Sequence, residues 1–121
     1  MKYKRIIPLL LALCCLTACN SRPDGISDEM YNYAESVIKT TDAYLDNQLS
    51  YEEASQKIKG LESNAEKLYN DPNYSKNDLV YLSITPISGN MYFEHKGTST
   101  YAELVDLRNT LAKIIGYSER D

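Results

Sequence analysis

The chain has no tryptophan, one phenylalanine and one histidine in 121 residues, and its three cysteines all fall within the first 19 positions. His95, with no cysteine near it and only Glu94 as an adjacent carboxylate, gives no basis for a histidine zinc site or a Ser-His-Asp triad. Glycine is also sparse: the five, at 25, 60, 89, 97 and 116, are too far apart to form a phosphate-cradling loop. No apolar run approaches the roughly 20 residues that a membrane-spanning helix needs. Basic residues are outnumbered, 13 against 17, and the net charge of −4 argues against a nucleic-acid partner, whose phosphates want a basic stripe. No catalytic residue, metal site or cofactor is therefore expected, and the chain does not read as an enzyme. The glutamates at 52, 53, 62 and 66 lie outside the apolar stripe of their segment and read as a solvated face.

What the sequence does contain begins at its amino end. Lys2, Lys4 and Arg5 precede the 11-residue apolar run Ile6 to Leu16, and Leu16-Thr17-Ala18-Cys19 follows. A positive end stays in the cytoplasm while the apolar run is translocated, and a run of half a bilayer's length suits a signal peptide rather than a span. The segment resembles a bacterial lipoprotein signal peptide ending in a lipobox. That resemblance implies cleavage between Ala18 and Cys19, diacylglycerol on the Cys19 thiol, and an extracytoplasmic protein held to a membrane by lipid.

Three segments are expected: a signal peptide over 1–18, a lipidated cysteine with a short tether over 19–26, and a folded domain over 27–121. Loss of Lys2, Lys4 and Arg5 leaves 10 basic against 17 acidic residues, a formal charge of −7. Cys14 and Cys15 would leave with the signal peptide, so the mature domain has no disulfide and must depend on its core. Its tether, Asn20 to Ile26 with Pro23 and Gly25, spans at most about 25 Å and keeps the domain near the membrane.

Downstream the pattern is helical. Ser27 is placed to cap a helix with Asp28 and Glu29 in its first turn, Ile26 can staple against Tyr31, and Met30, Ala34, Val37, Thr41 and Leu45 recur at spacings of three and four, predicting a helix to about Gln48. Ser50-Tyr51-Glu52-Glu53 is a capping box, after which Tyr51, Ala54, Ile58, Leu61, Ala65 and Leu68 line one face until Asn70-Asp71-Pro72-Asn73. So short a join forces an antiparallel hairpin. Leu45 through Ala54 also resembles the helical join of small lipoproteins of Gram-positive bacteria, with Asn47 where a glycine is common. The resemblance covers about a third of the chain with the lipobox, brings no activity with it, and favours a Gram-positive membrane over an outer membrane.

The segment 77–93 is ambiguous. Leu79, Leu82, Ile87 and Met91 fit a helix, Val80, Leu82 and Ile84 alternate as a strand would, and Pro86 and Gly89 interrupt both; a helix broken or kinked near Pro86 is the expectation. Glu94-His95-Lys96-Gly97 reads as a loop. Thr100-Tyr101-Ala102-Glu103 is another capping box, followed by the apolar face of Leu104, Leu107, Leu111, Ile114 and Ile115, with Gly116 as a left-handed stop and Tyr117 folding back. The fold class expected is all-α, a small antiparallel bundle of three or four helices.

Tyrosine is abundant, ten in the mature chain. Most fit helix ends and core flanks; Tyr74, Tyr81 and Tyr92 are the candidates for a recognition surface. Two functions remain open: a non-catalytic module that docks an envelope or secreted protein, or a small-ligand receptor or transporter accessory protein with a pocket near Pro86 and Tyr92.

Overall fold

The computed structural model describes residues 22–121, so the expected signal peptide, its cleavage site at Ala18 and the lipidation site Cys19 lie outside the described residues. Within them are four α-helices and no strand: α1 Asp28–Leu45, α2 Tyr51–Glu66, α3 Asn77–His95 and α4 Tyr101–Ile115. Neighbours in sequence pack against each other, α1 closes on α4, and α1 also meets α3 across the middle. The result is an antiparallel four-helix bundle whose short diagonal is α1–α3. Its base carries the start of α1 and the α2–α3 connection; its top carries the other two connections.

The helix starts follow local chemistry. Ser27 Oγ accepts from the Met30 N–H, and Ser50 and Glu53 satisfy each other's backbone donors in a complete capping box. At α4 only half of the expected box forms. Thr100 Oγ1 accepts from the Glu103 N–H at 3.1 Å, but the Glu103 carboxylate takes the Ser99 hydroxyl at 2.7 Å instead of reaching back to the cap.

Three helices end alike. Asn47, Gly97 and Gly116 adopt φ of 60°, 81° and 75°. The next residue's N–H then reaches back five positions, as in Gln48 to the Ala43 carbonyl at 2.7 Å, Thr98 to Phe93 at 2.9 Å and Tyr117 to Ala112 at 2.8 Å. This is why α1 stops at Leu45 rather than near Gln48: the left-handed turn at Asn47 is the stop signal. α3 runs on through Glu94 and His95, which were expected in a loop, and ends only at the left-handed Gly97. α2 gives way at Glu66 to turns that carry Leu68 to the core edge.

The core comprises Met30, Ala34, Val37, Ile38 and Leu45 of α1, Ala54, Ile58 and Ala65 of α2, Val80, Ile84, Ile87 and Met91 of α3, and Leu104, Val105, Leu111, Ala112 and Ile115 of α4. Each fully buried isoleucine or leucine contributes about 1.5–3 kcal/mol by leaving water. The four alanines let the helices approach closely at native packing density.

Segment 77–93 is one helix with Pro86 inside it, and the strand alternative does not occur. Proline has no N–H for the Leu82 carbonyl, and the Thr85 hydroxyl donates to that carbonyl at 3.3 Å in its place. The buried face is Val80, Ile84, Ile87 and Met91; Leu79 and Leu82, expected with them, point outward. Apolar residues surround this helix, so periodicity alone did not identify the inner side.

Gly25 and Ile26, expected in the tether, belong to the packed unit. Ile26 is buried, the Gly25 carbonyl accepts from the Lys76 N–H at 2.9 Å, and buried Asn77 accepts from the Ser27 N–H at 3.0 Å while donating to the Leu68 carbonyl at 3.4 Å. The amino-terminal segment is thereby fastened to the base, at the start of both α1 and α3.

Candidate aromatic site at the top of the bundle

The top of the bundle collects aromatic rings from three helices. Tyr44 near the end of α1, Tyr51 at the start of α2, and Tyr92, Phe93 and His95 at the end of α3 form a contiguous group. Tyr51 sits at its centre: the His95 ring stacks on it at 4.3 Å with planes 3° apart, Tyr44 meets it edge-on at 6.4 Å, and Tyr92 lies 6.2 Å away. Phe93 packs edge-on against Tyr92, whose ring also carries the Lys96 ammonium at 5.7 Å. Antiparallel pairing produces this group, because α2 starts where α1 and α3 end.

A cleft of about 440 Å³ opens among these rings, lined chiefly by Tyr44, Leu49, Tyr51, Glu94, His95 and Tyr101. Two of its three tyrosine hydroxyls are committed. Tyr44 donates to Glu94 Oε1 in a short hydrogen bond, and Tyr101 accepts from Arg120 Nη2 at 2.9 Å. Burial, followed by the bond to Glu94, pushes the Tyr44 phenol well above its ordinary range. Arg120 also donates to Asp46 at 2.8 Å, which holds that carboxyl below the usual range.

The carboxy-terminal tail braces the site from behind, through the bond from Arg120 to Tyr101. After Gly116 the chain turns back up the bundle, where Asn109 exchanges two hydrogen bonds with the Arg120 backbone and the Ser118 carbonyl accepts from Arg108 Nη1 at 2.6 Å. Arg120 then reaches Asp42 at 3.0 Å, joining the Asp42–Arg108 pair.

The three tyrosines singled out from sequence do not form one surface. Tyr74 lies exposed in the α2–α3 connection, and Tyr81 packs on Tyr69 at 5.5 Å and donates to Glu66 at 3.0 Å, both near the base. That bond raises the Tyr81 phenol. Only Tyr92 is at the top, among Tyr51, Phe93 and Tyr101. From sequence, Tyr51 and Tyr101 fit helix ends and Glu94 and His95 a loop; their assembly depends on pairs more than 40 residues apart, for which no local signal exists.

Among the described residues no group of three or more His, Cys, Asp or Glu side chains is placed to hold a metal, and no helix is long and apolar enough to cross a membrane. Comparison with family models, curated proteins and solved structures found no match to this chain.

Proposed function

We propose that this protein is a non-catalytic docking module, held by lipid on Cys19 at the extracytoplasmic face of a bacterial membrane, a Gram-positive membrane in preference to an outer membrane. It presents the aromatic top of its bundle to an envelope or secreted protein. The single observation that carries this reading is the separation of the two ends. The segment following Cys19 is fastened at the base through Gly25, Ile26 and Ser27, while half-exposed Tyr92, Phe93 and Tyr101 gather at the opposite end. α1 separates them by about 27 Å at 1.5 Å per residue. Large aromatic rings with a polar edge are the residue type enriched where proteins dock. Glu52, Glu53 and Glu103 stand around this end with Lys96, while Asp46 is paired with Arg120; the remaining acidic excess suits a partner segment with apolar anchors and basic flanks.

The second reading, a small-ligand receptor, draws on the cleft, whose volume lies within the range of ligand sites. The hydroxyls of Tyr44 and Tyr101 are already engaged by Glu94 and Arg120, leaving few polar groups to orient a ligand. Protein docking is therefore preferred.

The test is a photoreactive residue at position 92 in intact cells, with position 63 on α2 as the remote site and a Cys19→Ala form as the mislocalised control. One dominant protein adduct, specific to position 92 and lost with the anchor, is the expected result. Equal labelling of abundant neighbours from both positions would overturn the docking reading.

A further inference from the structure

Glu94 is the one carboxylate lining the cleft at the top of the bundle, and it is half-buried. Among the described residues it forms no ion pair, and the one hydrogen bond to its carboxylate comes from the neutral Tyr44 phenol, which takes Oε1. Asp42 and Asp46, at the end of α1, are by contrast both held by Arg120. The cations nearest the cleft stay outside it. No lysine or arginine lines it, Lys96 lies over the Tyr92 ring at 5.7 Å, and Arg120 reaches its rim only through the Tyr101 hydroxyl at 2.9 Å. A carboxylate partly withdrawn from water and left without a counter-charge is an unmet interaction.

We propose, on the docking function given above, that this cleft receives the side chain of a lysine from the partner protein, with the ammonium at Glu94 Oε2 and the methylene stem along Leu45 and Leu49. The positive sign follows from Glu94 and from the rings of Tyr44, Tyr51 and Tyr101 that line the cleft with it, since aromatic faces attract cations. This bundle already uses that attraction twice, at Lys96 over Tyr92 and at Arg108 over Tyr117, both at 5.7 Å.

The lysine is selected by the number of acceptors. Arginine presents a planar fork that matches both oxygens of a carboxylate, and here Tyr44 holds one of them. An ammonium is a compact charge with rotatable donors. Oε2 and the Tyr51 hydroxyl, which makes no hydrogen bond among the described residues, are acceptors enough for it. A quaternary ammonium has no donor to give to Oε2. Leu45 and Leu49 supply apolar lining for a four-carbon stem that buries itself while its charged head stays polar.

The site is also formed before a ligand arrives. His95 stacks on Tyr51 at 4.3 Å and Tyr44 meets it edge-on at 6.4 Å, Tyr44 fixes Glu94, and Arg120 fixes Tyr101. Little ordering is then left for binding to oppose.

The test titrates the full chain, purified in detergent micelles, with N-acetyl-lysine methylamide, its arginine and norleucine counterparts, and choline. Aromatic proton–carbon NMR signals of Tyr51 and His95 are the readout, with Tyr81 at the base as the internal control. The lysine probe is expected to shift Tyr51 and His95 saturably and leave Tyr81 unmoved, the arginine probe and choline to bind more weakly, and norleucine to give no response. Glu94→Gln keeps an acceptor for the Tyr44 hydroxyl while removing the charge, and should weaken the lysine probe about ten-fold, the loss of one charge-assisted hydrogen bond. The comparison among probes on the parent chain needs no variant and holds even where that substitution alters the fold.

Equal responses to lysine and norleucine would overturn the proposal, as would arginine or choline binding at least as tightly as lysine, or shifts at Tyr81 matching those at Tyr51. The docking reading fails separately. A position-92 adduct in cells with no lysine response in the titration overturns the lysine assignment alone, whereas a lysine response with no position-92 adduct overturns docking and with it a protein as the source of the cation.

Discussion

Asp42 on α1 and Arg108 on α4 are joined at two points, Nε to Oδ1 at 2.9 Å and Nη2 to Oδ2 at 2.8 Å, and the guanidinium side chain is only 3% exposed. The pair is unequal, because Asp42 has a second cation in Arg120 whereas, among the described residues, Arg108 pairs with Asp42 alone.

The two partners are therefore expected to respond differently to removal. Asp42→Ala strands a buried guanidinium and should cost about 3 kcal/mol, the lower part of the range for breaking a buried pair. Arg108→Met removes the buried charge itself and leaves Asp42 with Arg120, so its cost should be clearly smaller. Urea unfolding followed by far-ultraviolet circular dichroism measures both; equal losses would show that the pair contributes through packing rather than charge.

Asn77 is the fastener at the base. Asn77→Ala deprives the buried Ser27 N–H of its acceptor, and an unsatisfied buried donor costs about 1–3 kcal/mol. Hydrogen exchange should accelerate first at Ser27 and the opening turn of α1, before the aromatic top changes. Uniform acceleration through all four helices would show that the base does not open separately.

Two glycines should give opposite results. Gly60 lies in the exposed interior of α2 with open space where a Cβ would stand, so Gly60→Ala is expected to stabilise by up to about 1 kcal/mol. Gly116, at φ 75°, ends α4 in the left-handed region, where Gly116→Ala should cost about 1–2 kcal/mol. Thermal midpoints should move in opposite directions.

Alkaline pH should loosen the top of the bundle. The Tyr44 phenol is raised in the folded protein above its unfolded value of about 10. Its contribution to stability is thus complete below that pH and is lost as pH rises beyond it, because folding favours the protonated phenol. Tyr44→Phe should show a shallower loss of stability above pH 10 than the parent chain, measured by denaturant unfolding at a series of pH values. An identical pH slope would remove Tyr44 as the source.

The legible parts of the fold were those written in short-range chemistry. Ser27, Ser50 and Thr100 announce helix starts, Gly116 announces an end, and α2 and α4 have a single apolar stripe, so the antiparallel bundle follows from the sequence; the left-handed turn at Asn47 ends α1 earlier than its periodicity suggested. α3 was opaque for a physical reason. Leu79 and Leu82 are as apolar as Val80 and Ile84, and only the positions of α1, α2 and α4 decide which set is buried. The aromatic top was hidden differently: Tyr44 meets Glu94, and Tyr51 meets His95, only after three helices have folded, and each residue has an ordinary local explanation. The Asp42, Arg108 and Arg120 network is equally long-range and gave no signal in the chain.

The fastening at the base also fixes how the domain bears mechanical load. A pull on the amino end does not begin by peeling α1 from its neighbours. It first meets the Gly25–Lys76 and Ser27–Asn77 bonds, which divide the force between α1 and α3 and turn an unzipping geometry into shear along two helices that already touch across the short diagonal.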